Sequence, residues 1–135
     1  MIPCLVITHG QLASELVASA EMIVGEIEHI TALCIGWHED VNEARDDVEQ
    51  ALKNAASEEG VIILTDMFGG TPSNLAMSFL KEGQIEVITG VNLPMIIKAA
   101  SQGEHETLAT LADKISEKGK ANIAVASRFL GETAS

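Results

Sequence analysis

Aromatic residues and cysteines are scarce in this sequence. Aromatic residues make up 3% of the 135 residues and tyrosine is absent, so the core has to be built from aliphatic side chains. Two cysteines occur, Cys4 and Cys34, each inside an apolar run and neither in a CxxC pair. This usage is typical of free, buried cysteines in a reducing compartment, and it argues against a fold held together by disulfides.

Basic residues are also few. Eight lysines and arginines stand against 20 aspartates and glutamates, for a formal net charge of −12. Nucleic-acid binding needs clustered basic residues, so we expect no nucleic-acid partner. No signal segment and no apolar run of transmembrane length is found, which predicts a cytoplasmic protein without direct membrane insertion. The acidic balance favours solubility and basic protein partners.

Short apolar runs alternate with helical patterns along the whole chain. The length and the 47% apolar content fit one domain, residues 1–135. Four β-then-α units in succession predict a three-layer α/β/α fold with a mainly parallel sheet, and a final apolar run predicts one more strand. We expect strands at residues 2–7, 30–35, 61–64, 85–89 and 122–126, and helices at 11–24, 41–56, 72–82, 94–100 and 104–118.

Polar side chains follow the first and third predicted strands. In open α/β sheets, ligands bind beyond the carboxyl ends of the strands, where the strand order reverses. In a 2-1-3-4 order, His9 after the first strand and Asp66 after the third face each other there. A carboxylate that accepts a hydrogen bond from one imidazole nitrogen fixes the tautomer and leaves the other nitrogen as a nucleophile or base.

Small and hydroxyl residues flank the same two positions. Glycines allow close approach to the backbone, and a helix N-terminus attracts an anion. We therefore expect a phosphate to be supported by Thr8, Gly10, Gly69, Gly70 and Thr71. No GxxxxGK loop for ATP and no carboxylate cluster for Mg²⁺ is found. A carrier of phosphohistidine needs neither a cofactor nor a metal.

Each of these features also has a purely structural interpretation. His9 and Asp66 fit a packed side chain and a turn cap as well as a reactive pair. An apolar rim near the crevice fits either protein docking or closure of the core; its members are Met67, Phe68 and Met95. His38, with Glu39 and Asp40, fits a weak metal site or, better, a solvated acidic loop. Trp37 fits packing better than a site role, and His29 and His105 are interpreted as surface residues.

Three segments together resemble one known family. They are VITHGQLASELVASAEMIVG at residues 6–25, VIILTDMFGGTPSNLA at 61–76 and VITGVNLPMI at 87–96. Their order, spacing and combination are similar to those of the mannose-type enzyme IIA domain of the bacterial phosphoenolpyruvate:sugar phosphotransferase system. The resemblance covers nearly the whole chain.

The resemblance implies a phosphoryl carrier. The matching histidine, His9, is expected to take phosphate from the phosphocarrier protein HPr and pass it to an enzyme IIB. Asp66 is expected to hold that histidine by a hydrogen bond, and Thr71 to place a hydroxyl beside it. Phe68 stands where well-known transporters often have tryptophan, which keeps an aromatic ring but leaves partner preference open.

The family fold is implied as well. It is a parallel sheet in 2-1-3-4 order with a fifth, antiparallel strand that is exchanged within homodimers, and residues 122–126 are the candidate for that strand. No IIB domain is expected to be fused, since the sequence stops at Ser135. The segment FGGTPSN argues against the related phosphodonor domains of dihydroxyacetone kinases.

Two other functions stay open beside the carrier. One is a regulatory module whose free and phosphorylated forms bind different partners without passing phosphate to a sugar. The other is a small hydrolase-like enzyme that uses His9 as a base. The second is disfavoured because no GxSxG pattern is present.

Overall fold

The computed structural model describes residues 1–36 and 40–134. Within those ranges it contains four strands and six helices. In chain order they are β1 (Cys4–His9), α1 (Leu12–Val24), β2 (Ile30–Ile35), α2 (Val41–Asn54), β3 (Val61–Thr65), α3 (Thr71–Ser78), β4 (Ile85–Thr89), α4 (Leu93–Ala100), α5 (Leu108–Ala121) and α6 (Ala126–Ala134). Trp37, His38 and Glu39 lie outside the described residues. The loop interpreted as a weak metal site or a solvated acidic loop therefore lies mostly outside them as well.

The four strands form one sheet in the order β2-β1-β3-β4, and every pairing is parallel. This confirms the predicted parallel sheet and its 2-1-3-4 order. The chain moves outward from β1 in both directions, so the strand order reverses between β1 and β3. Ile7 of β1 pairs in register with Thr65 of β3, which brings the residues after both strands to the same edge.

Alternate residues of β1 point to opposite faces of the sheet. Cys4 and Val6 belong to a core shared with α1, α4 and α5, whereas Leu5 and Ile7 belong to one shared with α2 and α3. Both cores are almost entirely aliphatic, as the shortage of aromatic residues predicts. The two helical layers confirm the three-layer α/β/α architecture. By the same alternation, His9 lies on the face of α2 and α3.

The C-terminal region differs from the prediction. A fifth strand at residues 122–126 is wrong for the structure, because α5 continues to Ala121, residues 122–125 have no strand pairing and α6 starts at Ala126. A strand exists only when a neighbouring edge supplies hydrogen-bond partners, and among the described residues the segment pairs with none. Local propensity then decides, and Ala126, Arg128 and Leu130 are good helix formers.

Candidate active site

His9 is the last residue of β1, at the point where the chain turns into α1. Gly10 follows with φ of +55°, a conformation that suits glycine, and its N–H donates to the carbonyl of Ile35 at 3.0 Å. α1 begins two residues later, at Leu12. The short turn leaves the His9 side chain 45% exposed at the edge of the sheet.

Asp66 directly follows β3 and binds His9 twice. Its Oδ2 lies 2.7 Å from Nδ1 of His9 and accepts the His9 backbone N–H at 3.1 Å. Its Oδ1 accepts the N–H of Met67 at 3.0 Å. The carboxylate side chain is only 13% exposed. Both oxygens are therefore fixed, and the imidazole has one defined orientation.

The electrostatics of Asp66 set the tautomer of His9. Burial raises the pKa of Asp66, but the side-chain and backbone hydrogen bonds from His9 and the charge of the ring outweigh it, so the pKa lies below its ordinary value of 3.8. The carboxylate is therefore ionised at neutral pH and can only accept hydrogen bonds. Nδ1 must carry the proton, which leaves Nε2 of the neutral ring with a free lone pair.

The glycine pair after Asp66 approaches the free nitrogen. Gly69 and Gly70 have φ of +86° and +90°, and a methyl group built on Gly70 would lie 3.2 Å from both Cε1 and Nε2 of His9. Gly70 is also the N-cap of α3. Thr71 is the first residue of α3. Nε2 of His9 therefore lies beside the N-terminus of α3.

The predicted phosphate-supporting hydroxyls have different surroundings. Thr8 is fully buried, and its hydroxyl accepts the N–H of Ala13, in the first turn of α1, at 2.7 Å. Thr71 is half-buried at the start of α3, next to the Gly70 turn. The first-turn N–H groups of a helix have no intrahelical acceptor and favour anions. The structure thus brings Gly70 to Nε2, with Thr71 as the next residue in the chain, while the Thr8 hydroxyl is engaged with Ala13.

Exposed apolar side chains lie close in the sequence to both members of the reactive pair. Met67 is 56% exposed and Phe68 73% exposed. Leu12, which the sequence reasoning did not single out, is 44% exposed at the start of α1. Met95 does not contribute to this surface, since it is 3% exposed and would clash at 2.6 Å with a methyl group on Gly119.

Residues 1–36 and 40–134 contain no cluster of three or more histidine, cysteine, aspartate or glutamate residues arranged to hold a metal ion. Asp40, one of the residues of the proposed acidic loop, accepts the N–H of Asn42 at 2.7 Å and caps α2. None of the described helices is both long enough and apolar enough to cross a membrane.

Known sequences resemble this chain over most of its length. A model of the EIIA-man family, described as PTS system fructose IIA component, matches residues 4–116. The PTS system fructose-specific EIIA component of Bacillus subtilis is 34% identical over 131 residues, which are 96% of this chain and 90% of that protein. The PTS system mannose-specific EIIAB component of Escherichia coli is 33% identical over 92 residues, which cover 67% of this chain but 28% of that longer protein.

Solved structures share the fold. The phosphotransferase system component EIIA from Streptococcus agalactiae superposes with a TM-score of 0.85 at 25% identity, over 95% of this chain and 99% of that one. The mannose/sorbose specific IIA subunit from Enterococcus faecalis gives 0.83 at 30% identity, over 93% and 95%. EIIA components are phosphotransferase components that carry phosphate on a histidine. The chain belongs to the mannose-type EIIA family of the sugar phosphotransferase system.

Proposed function

We propose that this protein carries a phosphoryl group on Nε2 of His9, taken from phospho-HPr and passed to an enzyme IIB in the cytoplasm. One observation carries the proposal above the others. The 2.7 Å contact between Nδ1 of His9 and Oδ2 of Asp66 fixes the proton on Nδ1, and the ring is 45% exposed. In the neutral ring the lone pair is therefore on Nε2, and the exposed ring is accessible to a partner protein.

The transfer step follows from this geometry. The lone pair of Nε2 attacks phosphorus, the new N–P bond forms, and the bond from phosphorus to the donor breaks with its electron pair leaving on the donor. Because Nδ1 keeps its proton, the phosphorylated ring becomes positively charged. The ionised Asp66 lies against Nδ1 and stabilises that charge. When enzyme IIB attacks phosphorus, the ring leaves as neutral imidazole.

The phosphoryl oxygens are expected to face the N-terminus of α3. Gly70 lies against the Nε2 edge, and Thr71, the next residue, has a hydroxyl and an N–H in the first turn of α3. A helix N-terminus stabilises an anion by roughly 0.3–1 kcal/mol at an exposed position. That is enough to orient the group but too little to trap it, which suits a carrier that has to release phosphate to its next partner.

The labelling of His9 tests this function. Incubation with phosphoenolpyruvate, enzyme I and HPr is expected to place an acid-labile phosphate on the protein, and His9→Ala is expected to take up none. His105→Ala serves as the matched control, since His105 is an exposed histidine on the loop before α5, and it is expected to label like the wild type. Equal labelling of His9→Ala would refute the assignment.

The role of Asp66 can be tested in the same assay. Asp66→Asn keeps the size of the side chain but presents an NH₂ group in place of an ionised oxygen, so the Nδ1–H tautomer is no longer enforced. We expect phosphoryl transfer to slow by about 10²-fold or more. A transfer rate equal to that of the wild type would show that the pair only supports the fold.

The acceptor is tested in a second reaction. Phosphorylated protein is mixed with separate enzyme IIB proteins of the fructose, mannose and sorbose types, because relatives carry those names. Rapid loss of label to one of them identifies the partner. Retention of label with every IIB protein would favour the regulatory role.

A further inference from the structure

Ser73 is a buried polar residue in the first turn of α3. It is 0% exposed, and its Oγ accepts the N–H of Gly69 at 2.9 Å. In the capping box, a side chain at the third position of a helix accepts a backbone N–H from the residue before the helix, and Ser73 makes a similar bond one residue further back. Here that N–H belongs to the first of the two glycines that lie beside the reactive histidine.

The glycine turn needs such a restraint. Gly69 and Gly70 both have φ in the left-handed region, and adjacent glycines have more conformational freedom than any other pair of residues. Two hydrogen bonds to α3 hold the turn: the one from Gly69 to Ser73, and one from the N–H of Asn74 to the carbonyl of Gly70 at 3.0 Å. Only the first depends on a side chain, so a substitution can remove it alone.

The position of this turn determines what surrounds Nε2 of His9. A methyl group on Gly70 would lie 3.2 Å from Nε2, so the backbone of Gly70 is one wall of the space where phosphorus has to arrive. A shift of about 1 Å in such a wall can slow a reaction by up to roughly 10²-fold, because the reacting atoms lose their alignment. The hydrogen bond between Gly69 and Ser73 can therefore affect the rate of phosphoryl transfer to His9.

We propose that Ser73 is a positioning residue for phosphoryl transfer: its buried hydroxyl holds the Gly69–Gly70 turn against the Nε2 edge of His9. The inference rests on the proposed carrier function. It assigns Ser73 no contact with the phosphoryl group. Loss of the hydroxyl is expected to loosen the turn, so that Nε2 and the N-terminus of α3 are no longer held together.

The experiment compares Ser73→Ala with the wild type in single-turnover phosphorylation by phospho-HPr. We expect the maximal rate to fall about ten-fold, while the phospho-HPr concentration at half-maximal rate stays the same, since the docking side chains are untouched. The amide of Gly69 is expected to exchange with solvent faster in the variant, as followed by NMR. Both readouts are taken at a temperature where unfolding curves show the proteins to be folded.

Two control variants separate positioning from simple loss of stability. Ser78→Ala removes a serine hydroxyl from the same helix, where it bonds to Leu75 and Arg45, and should transfer phosphate at the wild-type rate. Ile63→Val weakens the core on the same face of the sheet and should lower stability without slowing transfer. An Ile63→Val rate as low as that of Ser73→Ala would mean that instability alone explains the effect.

The outcomes distinguish this inference from the function on which it rests. If the wild type takes no label on His9, the carrier function itself fails. If the wild type is labelled on His9 and Ser73→Ala is labelled as fast, the carrier function stands and the role of Ser73 is refuted. A slow Ser73→Ala with unchanged Gly69 exchange would also refute it, because the turn would not have loosened.

Discussion

The ionisation of Asp66 makes the stability of the folded protein depend on pH. Its pKa lies below the ordinary value of 3.8 because the bonds from His9 outweigh burial, so its ionised form is favoured in the folded state. The resulting stability is fully present above the ordinary pKa and is lost as the pH falls through the lowered value. The difference in unfolding free energy between the wild type and Asp66→Asn should therefore shrink as the pH falls below about 4.

Denaturant titrations of both proteins at pH 7, 5 and 3.5 check this expectation. A difference of the same size at pH 3.5 and pH 7 would mean that the ionised carboxylate contributes nothing to the folded state.

The two glycines of the turn allow a matched comparison at the residue scale. Both have left-handed φ, so alanine strains the backbone at either position, but only Gly70 faces His9; a methyl group on Gly69 meets nothing within 4 Å. We expect both variants to lose similar stability, about 1 kcal/mol or more. Phosphoryl acceptance should fall much further in Gly70→Ala than in Gly69→Ala, as measured by initial labelling rates. Equal rates would show that Gly70 does not border the reaction space.

The pairing of His9 with Asp66 could be predicted from the sequence, while the contacts of the residues around this pair could not. His9 and Asp66 follow parallel strands, and the strand order alone brings such ends together. The burial of Met95 depends on how α5 packs against α4, and residue spacing gives no signal for it, because spacing describes one element and not the neighbour that covers it. The hydrogen bond from Gly69 to Ser73 is local, but it depends on the conformation of the glycine turn, which the sequence leaves open.

Two threonines in adjacent strands differ in one hydrogen bond. Thr65 at the end of β3 and Thr8 in β1 are both fully buried. The Thr8 hydroxyl accepts the N–H of Ala13, whereas Oγ1 of Thr65 has no partner among the described residues. Valine has the same shape as threonine without the hydroxyl. A buried unpaired polar group costs about 1–3 kcal/mol. Replacing threonine by valine should therefore stabilise the protein at position 65 and destabilise it at position 8.

We therefore expect Thr65→Val to raise the unfolding free energy by about 1 kcal/mol and Thr8→Val to lower it by about as much or more. Urea denaturation of the two variants at pH 7 measures both effects. A loss of stability in Thr65→Val would show that its hydroxyl has a partner in solution.

Elements that pair within the chain were predictable, and the C-terminal one was not. The predicted bounds of β2 and β4 agree with the structure, and those of β1 and β3 differ from it by at most two residues. Continuous apolar runs predict such strands because the sheet buries both faces. The run at residues 122–126 has similar composition, but composition does not tell whether a neighbouring strand is available.

On the scale of the whole molecule, the C-terminal segment has an apolar surface that the chain itself does not cover. Ile123 is 78% exposed and Val125 57% exposed in the link between α5 and α6. Other exposed apolar residues lie elsewhere, such as Met22 in α1 at 89%. We propose that a second copy of the chain covers the C-terminal segment, consistent with the homodimer that the family resemblance implies, and that Met22 stays outside that interface.

Charge substitution tests this arrangement. The double variant Ile123→Asp, Val125→Asp should sediment as a monomer at micromolar concentration, where the wild type is expected to be a dimer, because two carboxylates cannot be buried without partners in an apolar interface. Met22→Asp adds a negative charge at a more exposed apolar position and should remain dimeric. Wild-type protein that is monomeric, or a double variant with unchanged sedimentation, would contradict the proposal. Phosphorylation of His9 should persist in the monomer, since the pair with Asp66 and the α3 turn come from a single chain.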